Sequence, residues 1–369
     1  MAWPTLRIIA FINGIFLLTL AISMAVPMLT LVLFSRPDEL NAFLWSSLIT
    51  CMAGIAMIAQ GRPKDVQLRP RDMYLLTVSS WILVGLFAAL PFMFSQHLGV
   101  TDAVFESMSG ITATGATVLT GLDSMSPGIL IWRSLLHWLG GIGFIAMAVA
   151  ILPMLRIGGM RLFQTESSDR SEKIMPRSHM VAKYMIAAYL GISLIGCLAL
   201  WTAGMGVFDA INHTMSAIAT GGFSTSDQSL GKWTEPAVHW VTIVLMILGS
   251  VPFVLFASML RGNYKALIRD QQVRGFLGIL LSTWLLLGTW YYISTELHWL
   301  EAIRHVAFNT TSIMTTTGFA LGDYTLWGGF AGMLFFYLGF IGGCSGSTAG
   351  GLKIFRFQVA YVLLRANLM

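Results

Sequence analysis

Charge is what this sequence has least of. Only 11% of its 369 residues are Asp, Glu, Lys or Arg, and 56% are hydrophobic, whereas a soluble domain carries about 25% charged residues. Mean hydropathy is +0.74, with 23 Phe and 12 Trp. So few charges cannot solvate a folded surface in water, which leaves lipid as the solvent. Cysteine is nearly missing as well. Cys51, Cys197 and Cys344 stand in apolar segments without paired spacing, which argues against a disulfide framework or a zinc site; Cys51 and Cys197 read as small buried residues. The histidines (His97, His137, His179, His213, His239, His298 and His305) are scattered without ligand spacing. No nucleophile with a base and no pair of carboxylates recurs at one depth, so the chain reads as neither an enzyme nor a holder of a cofactor.

What is present in quantity is long apolar runs. They fall at about 8–34, 42–60, 74–94, 127–155, 184–204, 237–260, 276–294 and 329–362, each long enough for a hydrocarbon layer that takes about 20 helical residues to cross. The first is too long for the 7–15 residues of a signal-peptide core and reads as a retained span. With the N-terminus in the cytoplasm, every Lys and Arg except Arg36, Arg133, Lys232 and Arg304 lies on the inner side, as the positive-inside rule requires. Most acidic residues fall outside, Asp102, Glu106, Asp209, Glu301 and Asp323 among them. The net charge of +5 is therefore a topology signal and not a nucleic-acid footprint, and the acidic outer face concentrates cations.

Three outer connections, about 95–126, 205–236 and 295–328, are too long for turns, and they repeat one another. DAVFESMSGITATG (102–115), DAINHTMSAIATGG (209–222) and HVAFNTTSIMTTTG (305–318) align without gaps. Six residues before the final glycine stands Ser109, Ser216 or Ser312, and four before it Ile111, Ile218 or Met314. The unit is span, re-entrant segment, span. A re-entrant segment leaves backbone carbonyls unpaired, which a membrane tolerates only where they are buried in protein or line a watery cavity. The stretch before each glycine reads as a short helix, its start marked by Asp102 and Asp209 in two repeats. Its partially negative C-terminal end then points at the Thr/Ala/Gly run, an arrangement that suits a cation. Extended residues there aim carbonyls at a dehydrated ion, glycine permits the necessary angles, and Thr hydroxyls either tie the loop or add a ligand. The plain alternative is a polar loop that packs helices.

A second polar run, GGCSGSTAGG (342–351), interrupts the last span near mid-membrane. Glycine costs about 1 kcal/mol relative to Ala in a helix, so a broken helix lining a pore competes with a small-residue packing face. A phosphate loop would need a GK[ST] ending and a preceding strand. In WRSLLHWLGGIGF (132–144), Arg133 and His137 read as anchors at the membrane interface that pair with an acidic neighbour, and Gly140, Gly141 and Gly143 as sites of close helix approach. The charged loop 156–183 reads either as an ordinary positive-inside loop or as a docking surface for a cytosolic partner.

MSGITATGAT (108–117), ATGGFST (219–225), SIMTTTGFA (312–320), WRSLLHWLGGIGF and GGCSGSTAGGLKIFR (342–356) together resemble the Trk/Ktr/HKT superfamily of potassium transporters, and within it the bacterial TrkH subunits. The resemblance spans essentially the whole chain. It implies an all-α polytopic membrane protein of helix–re-entrant pore loop–helix units like those of K+ channels. By its pattern residues 1–60 are a two-helix N-terminal extension, 61–160 a first pore repeat, 161–262 a second, and 263–369 a third with a broken inner helix. Four repeats are implied and three are present, so the expectation is a C-terminally incomplete sequence. The implied K+ filter is Thr112, Ala113, Thr114 and Gly115; Ala219, Thr220, Gly221 and Gly222; and Thr315, Thr316, Thr317 and Gly318. The key glycines are Gly115, Gly222 and Gly318, with Gly221 the rival in the second repeat. The implied gate loop is Gly342, Gly343, Cys344, Ser345, Gly346, Ser347, Thr348, Ala349, Gly350 and Gly351. The resemblance further implies potassium uptake across a bacterial inner membrane, coupling to H+ or Na+, homodimerisation, and a cytosolic nucleotide-binding TrkA-type regulatory subunit. The alternative is a secondary transporter of another cation or small solute.

Overall fold

The computed structural model describes residues 3–61, 69–155 and 174–368. Among them the chain is helical, and its only extended pairing is an isolated bridge between Ile341 and Leu352. Five of the described helical segments are long and apolar enough to cross a membrane, or six with a bent pair counted as one span. Large apolar side chains such as Ile22, Leu194, Ile195, Leu285 and Ile293 are exposed along them, as a lipid-facing surface requires.

The chain divides into two compact units. The first includes the described residues up to Thr112 and the segment Ala116–Leu136. In it α1 (Trp3–Ser23) and α2 (Ala25–Leu33) form one long span with a turn at Met24. They pack on α3 (Leu40–Ala59). Gly14 and Gly54 allow the contact, since a Cβ on Gly14 would lie 2.8 Å from the Gly54 carbonyl oxygen. α4 (Pro70–Ala88) starts where proline suits a first turn and Asp72 accepts from the Arg69 amide at 3.1 Å. Asn13 ties α1 to α4 through Ser79 and Ser80 at 2.9 and 2.6 Å. α5 (Leu90–Gln96) ends at His97, and α6 (Val100–Ile111) follows as a short helix. α7 (Pro127–Leu155) returns from it.

The second unit holds Ala113–Gly115, His137–Val149 and the described residues of Asp169–Met369. α8 (Ile174–Thr202) packs on the short helix α9 (Val207–Ile218) and on the pair α10 (Pro236–Gly249) and α11 (Phe253–Leu260). After a single turn, α12 (Lys265–Arg269), the span α13 (Gln271–Ser294) pairs with α14 (Trp299–Met314). α13 is capped by Asp270, which accepts from Gln272 and Val273 at 2.9 and 3.0 Å. α15 (Gly329–Leu338) and α16 (Ile354–Leu368) complete the unit. Tyr189, Phe253, Phe276 and Phe308 are buried in its core.

Two expectations are corrected by these boundaries. The run 237–260 reads as one span, but α10 and α11 meet at a 92° bend over Ser250–Pro252. Pro252 cannot donate to the helix ladder and bars its predecessor from helical angles. The break in the last run is also wider than the glycine-rich stretch, from the end of α15 at Leu338 to Ile354. Cys51 and Cys197, read as buried, are half-exposed, and only Cys344 is buried.

Candidate functional site

The three short helices α6, α9 and α14 end in the same way. Each carries an acid as its third residue, Asp102, Asp209 or Glu301, where the positive end of the helix favours it. Glu301 is the acid that the sequence alignment misses, because α14 starts further upstream. Each helix runs to its aligned Ile111, Ile218 or Met314, and the next residue, Thr112, Ala219 or Thr315, caps it. Then the backbone turns left-handed at Ala113, Thr220 and Thr316, with φ of 53°, 53° and 55°, and again two residues later at Gly115, Gly222 and Gly318, with φ of 79°, 87° and 87°. The backbone thus puts Gly222, and not Gly221, in register with the other two glycines. A β-branched residue at positive φ is a genuine outlier, and such strain persists only where the surroundings over-determine it.

The three segments lie against one another in order. A Cβ on Gly115 would fall on the Gly221 carbonyl oxygen and 3.7 Å from the Gly222 Cα; one on Gly222 would fall on the Thr317 carbonyl oxygen. At Gly318 no described atom comes within 4 Å of such a Cβ. Side-chain hydroxyls tie the run together. Thr112 donates to the Met108 carbonyl at 2.6 Å, Thr315 to that of Thr311 at 2.7 Å, and Thr315 and Thr317 share a 2.8 Å hydrogen bond. Thr315 and Thr317 are buried, whereas Thr112 and Thr114 are exposed. The three helix C-termini, each worth about half a negative charge, end at this cluster of peptide groups. Beyond it Asp323 is exposed, its carboxyl held below the usual range by the hydroxyl and amide of Thr325.

The glycine-rich run is bonded to the same cluster. The Gly350 amide donates to Thr316 Oγ1 at 2.6 Å, and the Thr348 and Thr220 hydroxyls lie 3.4 Å apart. Thr348 Oγ1 reaches the carbonyls of Ile218 and Gly249 at 2.8 and 2.9 Å. The α10–α11 bend supplies further partners: the Cys344 amide donates to the Ser250 carbonyl at 3.0 Å and the Phe253 amide to that of Gly346 at 3.1 Å. The backbone groups freed by the bend are satisfied by the loop, which is how irregular chain persists at membrane depth. Gly346 and Gly351 take left-handed angles, and Gly342 and Gly343 pack where a Cβ would meet the Gly350 carbonyl or Ser250. Ser345 donates its amide to the Gln272 side chain, Ser347 its hydroxyl to the Cys344 carbonyl, and Lys353 its ammonium to the Ala349 carbonyl. The stretch is not helical, which removes the reading of it as a helix packing face.

Arg133 has the acidic partner expected of it, but neither it nor His137 is an exposed anchor. Both are buried, at 1% and 0% exposure. Arg133 Nε is 2.8 Å from Glu106 Oε1, and Glu106, read as part of an acidic outer face, is itself wholly buried. Thr117 and the Val118 amide also donate to Glu106, at 2.9 and 3.1 Å. His137 Nδ1 is 3.0 Å from Ser216 Oγ, and its ring stacks on Phe223 at 4.1 Å. Gly141 permits close approach to Tyr189, but Gly143 has nothing near it among the described residues. The charged loop at 156–183 lies outside the described residues as far as position 173.

A family model described as a cation transport protein, TrkH, matches residues 40–368. The potassium uptake protein TrkI of the Trk system in Halomonas elongata is 46% identical over 367 residues, 99% of this chain and 73% of that protein. TrkH of Escherichia coli is 36% identical over 362 residues, 96% of this chain and 74% of its own length. The crystal structure of the potassium transporter TrkH from Vibrio parahaemolyticus superposes with a TM-score of 0.90 at 34% identity, over 98% of this chain and 76% of that one.

Proposed function

The chain belongs to the TrkH family and is a multi-pass membrane transporter for potassium uptake, not an enzyme, and from that premise we propose that K+ crosses it between the three left-handed segments. In this reading the carbonyls of Thr112–Gly115, Ala219–Gly222 and Thr315–Gly318 replace the hydration shell of the ion. The observation that carries it is the shared alternation of φ at Ala113/Gly115, Thr220/Gly222 and Thr316/Gly318. In an ordinary strand successive residues face opposite ways, and alternating the sign of φ turns successive peptide groups to one side.

The loop Gly342–Gly351 is the gate beneath this filter, held by Thr220 and Thr316. Ion entry follows the membrane potential, worth about 2.3 kcal/mol per charge per 100 mV. The N-terminus is cytoplasmic in a bacterial inner membrane, and the subunit works as a homodimer with a nucleotide-binding TrkA-type subunit. The test is growth at low K+ of a bacterium lacking its own potassium uptake, supplied with the wild-type protein or with Gly318→Ser, alongside uptake of Rb+, Na+ and an organic cation. Filter function requires Gly318→Ser to impair growth or admit Na+. Uptake of the organic cation at the rate of Rb+ would favour a carrier of broader substrates instead.

A further inference from the structure

Nine residues before its filter glycine, each of the three helices carries a polar side chain that reaches over to the chain leaving the filter. These are Glu106, His213 and Asn309, each 0% exposed. They share no chemistry, so no motif joins them. Glu106 accepts from the Thr117 hydroxyl and the Val118 amide, two and three residues past Gly115. His213 Nε2 lies 2.9 Å from the hydroxyl of Ser224, two past Gly222. Asn309 bonds both ways with Leu321, three past Gly318, its Nδ2 donating to the carbonyl and its Oδ1 accepting from the amide, each at 3.0 Å.

Each of these side chains is itself held. Arg133 grips Glu106. The Asp209 carbonyl accepts from His213 Nδ1 at 2.8 Å, which leaves Nε2 of the neutral ring as the acceptor for the Ser224 hydroxyl. The His305 carbonyl accepts from Asn309 Nδ2 at 3.1 Å. Among the described residues the chain just past each glycine forms neither helix nor sheet, so its peptide groups need other partners to satisfy them. A recurrent offset filled by a carboxylate, an imidazole and an amide points to a mechanical demand and not to one chemistry.

We propose that Glu106, His213 and Asn309 are positioning residues for ion discrimination, struts that hold each filter segment at a fixed distance from its own helix. This rests on the filter reading above. A carbonyl cage braced from behind resists contracting around an ion smaller than K+, and three unlike struts keep the repeats from relaxing together.

The test is the ratio of Rb+ to Na+ uptake by vesicles carrying the full-length protein as wild type, His213→Phe, Ser224→Ala, the double variant, Asn309→Leu and Gly318→Ser, each also assayed for thermal stability. Phenylalanine keeps a ring against Trp233 and Phe319, which flank His213, and removes the Nε2 acceptor together with the Nδ1 donor to Asp209. His213→Phe and Ser224→Ala should each lower the ratio by about three- to tenfold, the weight of one buried hydrogen bond. The double variant should fall no further than the worse single one, because both remove the same contact. Asn309→Leu should lower the ratio likewise. If His213→Phe does not assemble, Ser224→Ala reports alone, since it deletes one oxygen. An unchanged ratio in Ser224→Ala and Asn309→Leu, with Gly318→Ser altered, overturns the struts and leaves the filter. An unchanged ratio in Gly318→Ser removes the filter, and the struts with it.

Discussion

Thr348 Oγ1 lies 2.8 Å from the carbonyl oxygen of Ile218, so the glycine-rich loop and the last turn of α9 share a hydrogen bond across 130 positions of sequence. The same hydroxyl reaches Gly249. One side chain thus joins the loop to a helix that ends at a left-handed segment and to the α10–α11 bend.

Replacing Thr348 with valine keeps the shape and removes that hydroxyl. The Ile218 carbonyl loses its partner, at about 1–3 kcal/mol for an unsatisfied buried group, while the Gly249 carbonyl keeps the Thr348 amide. Basal Rb+ flux into vesicles is expected to rise several-fold and the melting temperature to fall. A flux equal to wild type would mean that the loop is not held shut by this contact.

Cys344 is buried in the same loop, whereas Cys51 and Cys197 are half-exposed. In a Cys51→Ser/Cys197→Ser background, a small maleimide should label Cys344 slowly. Adding Thr348→Val should accelerate labelling in step with flux. Rapid labelling of the parent would show that the loop already opens freely.

Of Gly222 and Gly318, Gly222→Ala should be the more damaging. It meets both a left-handed φ and the Thr317 carbonyl, while Gly318→Ala meets only the angle, a cost of about 1–2 kcal/mol. Growth at limiting K+ should therefore be abolished by the first and reduced by the second. The reverse ranking would remove the packing argument.

Arg133→Leu strands the Glu106 carboxylate in a buried site, and losing one partner of a buried pair costs about 3–5 kcal/mol. A large drop in melting temperature is expected. Combining it with Glu106→Leu should recover much of that loss, because no charge is left behind. Equal melting temperatures for Arg133→Leu and wild type would show Glu106 to be satisfied by Thr117 and Val118 alone.

Much of this molecule is written in its sequence. The length of an apolar run against the thickness of a bilayer is a local property, so the existence of spans such as 42–60 and 276–294 needed no tertiary information. The repeated Ser and Gly at fixed offsets marked the three short helices and their ends, because each pair of positions lies within one element. Tertiary structure decided the rest. Letters favoured Gly222 with Gly221 as its rival, and only the backbone angle at Gly222 matches those at Gly115 and Gly318. Hydropathy counted 237–260 as one span, since it cannot register a proline bend whose open carbonyls are filled by a loop a hundred residues away. An acidic partner for Arg133 was legible, but which acid it is and that the pair is buried were not, since burial of a charge depends on the partner folding brings to it. The shared placement of Glu106, His213 and Asn309 was invisible for a related reason: a carboxylate, an imidazole and an amide share no letter, so what they have in common is geometry, and geometry exists only once the chain has folded.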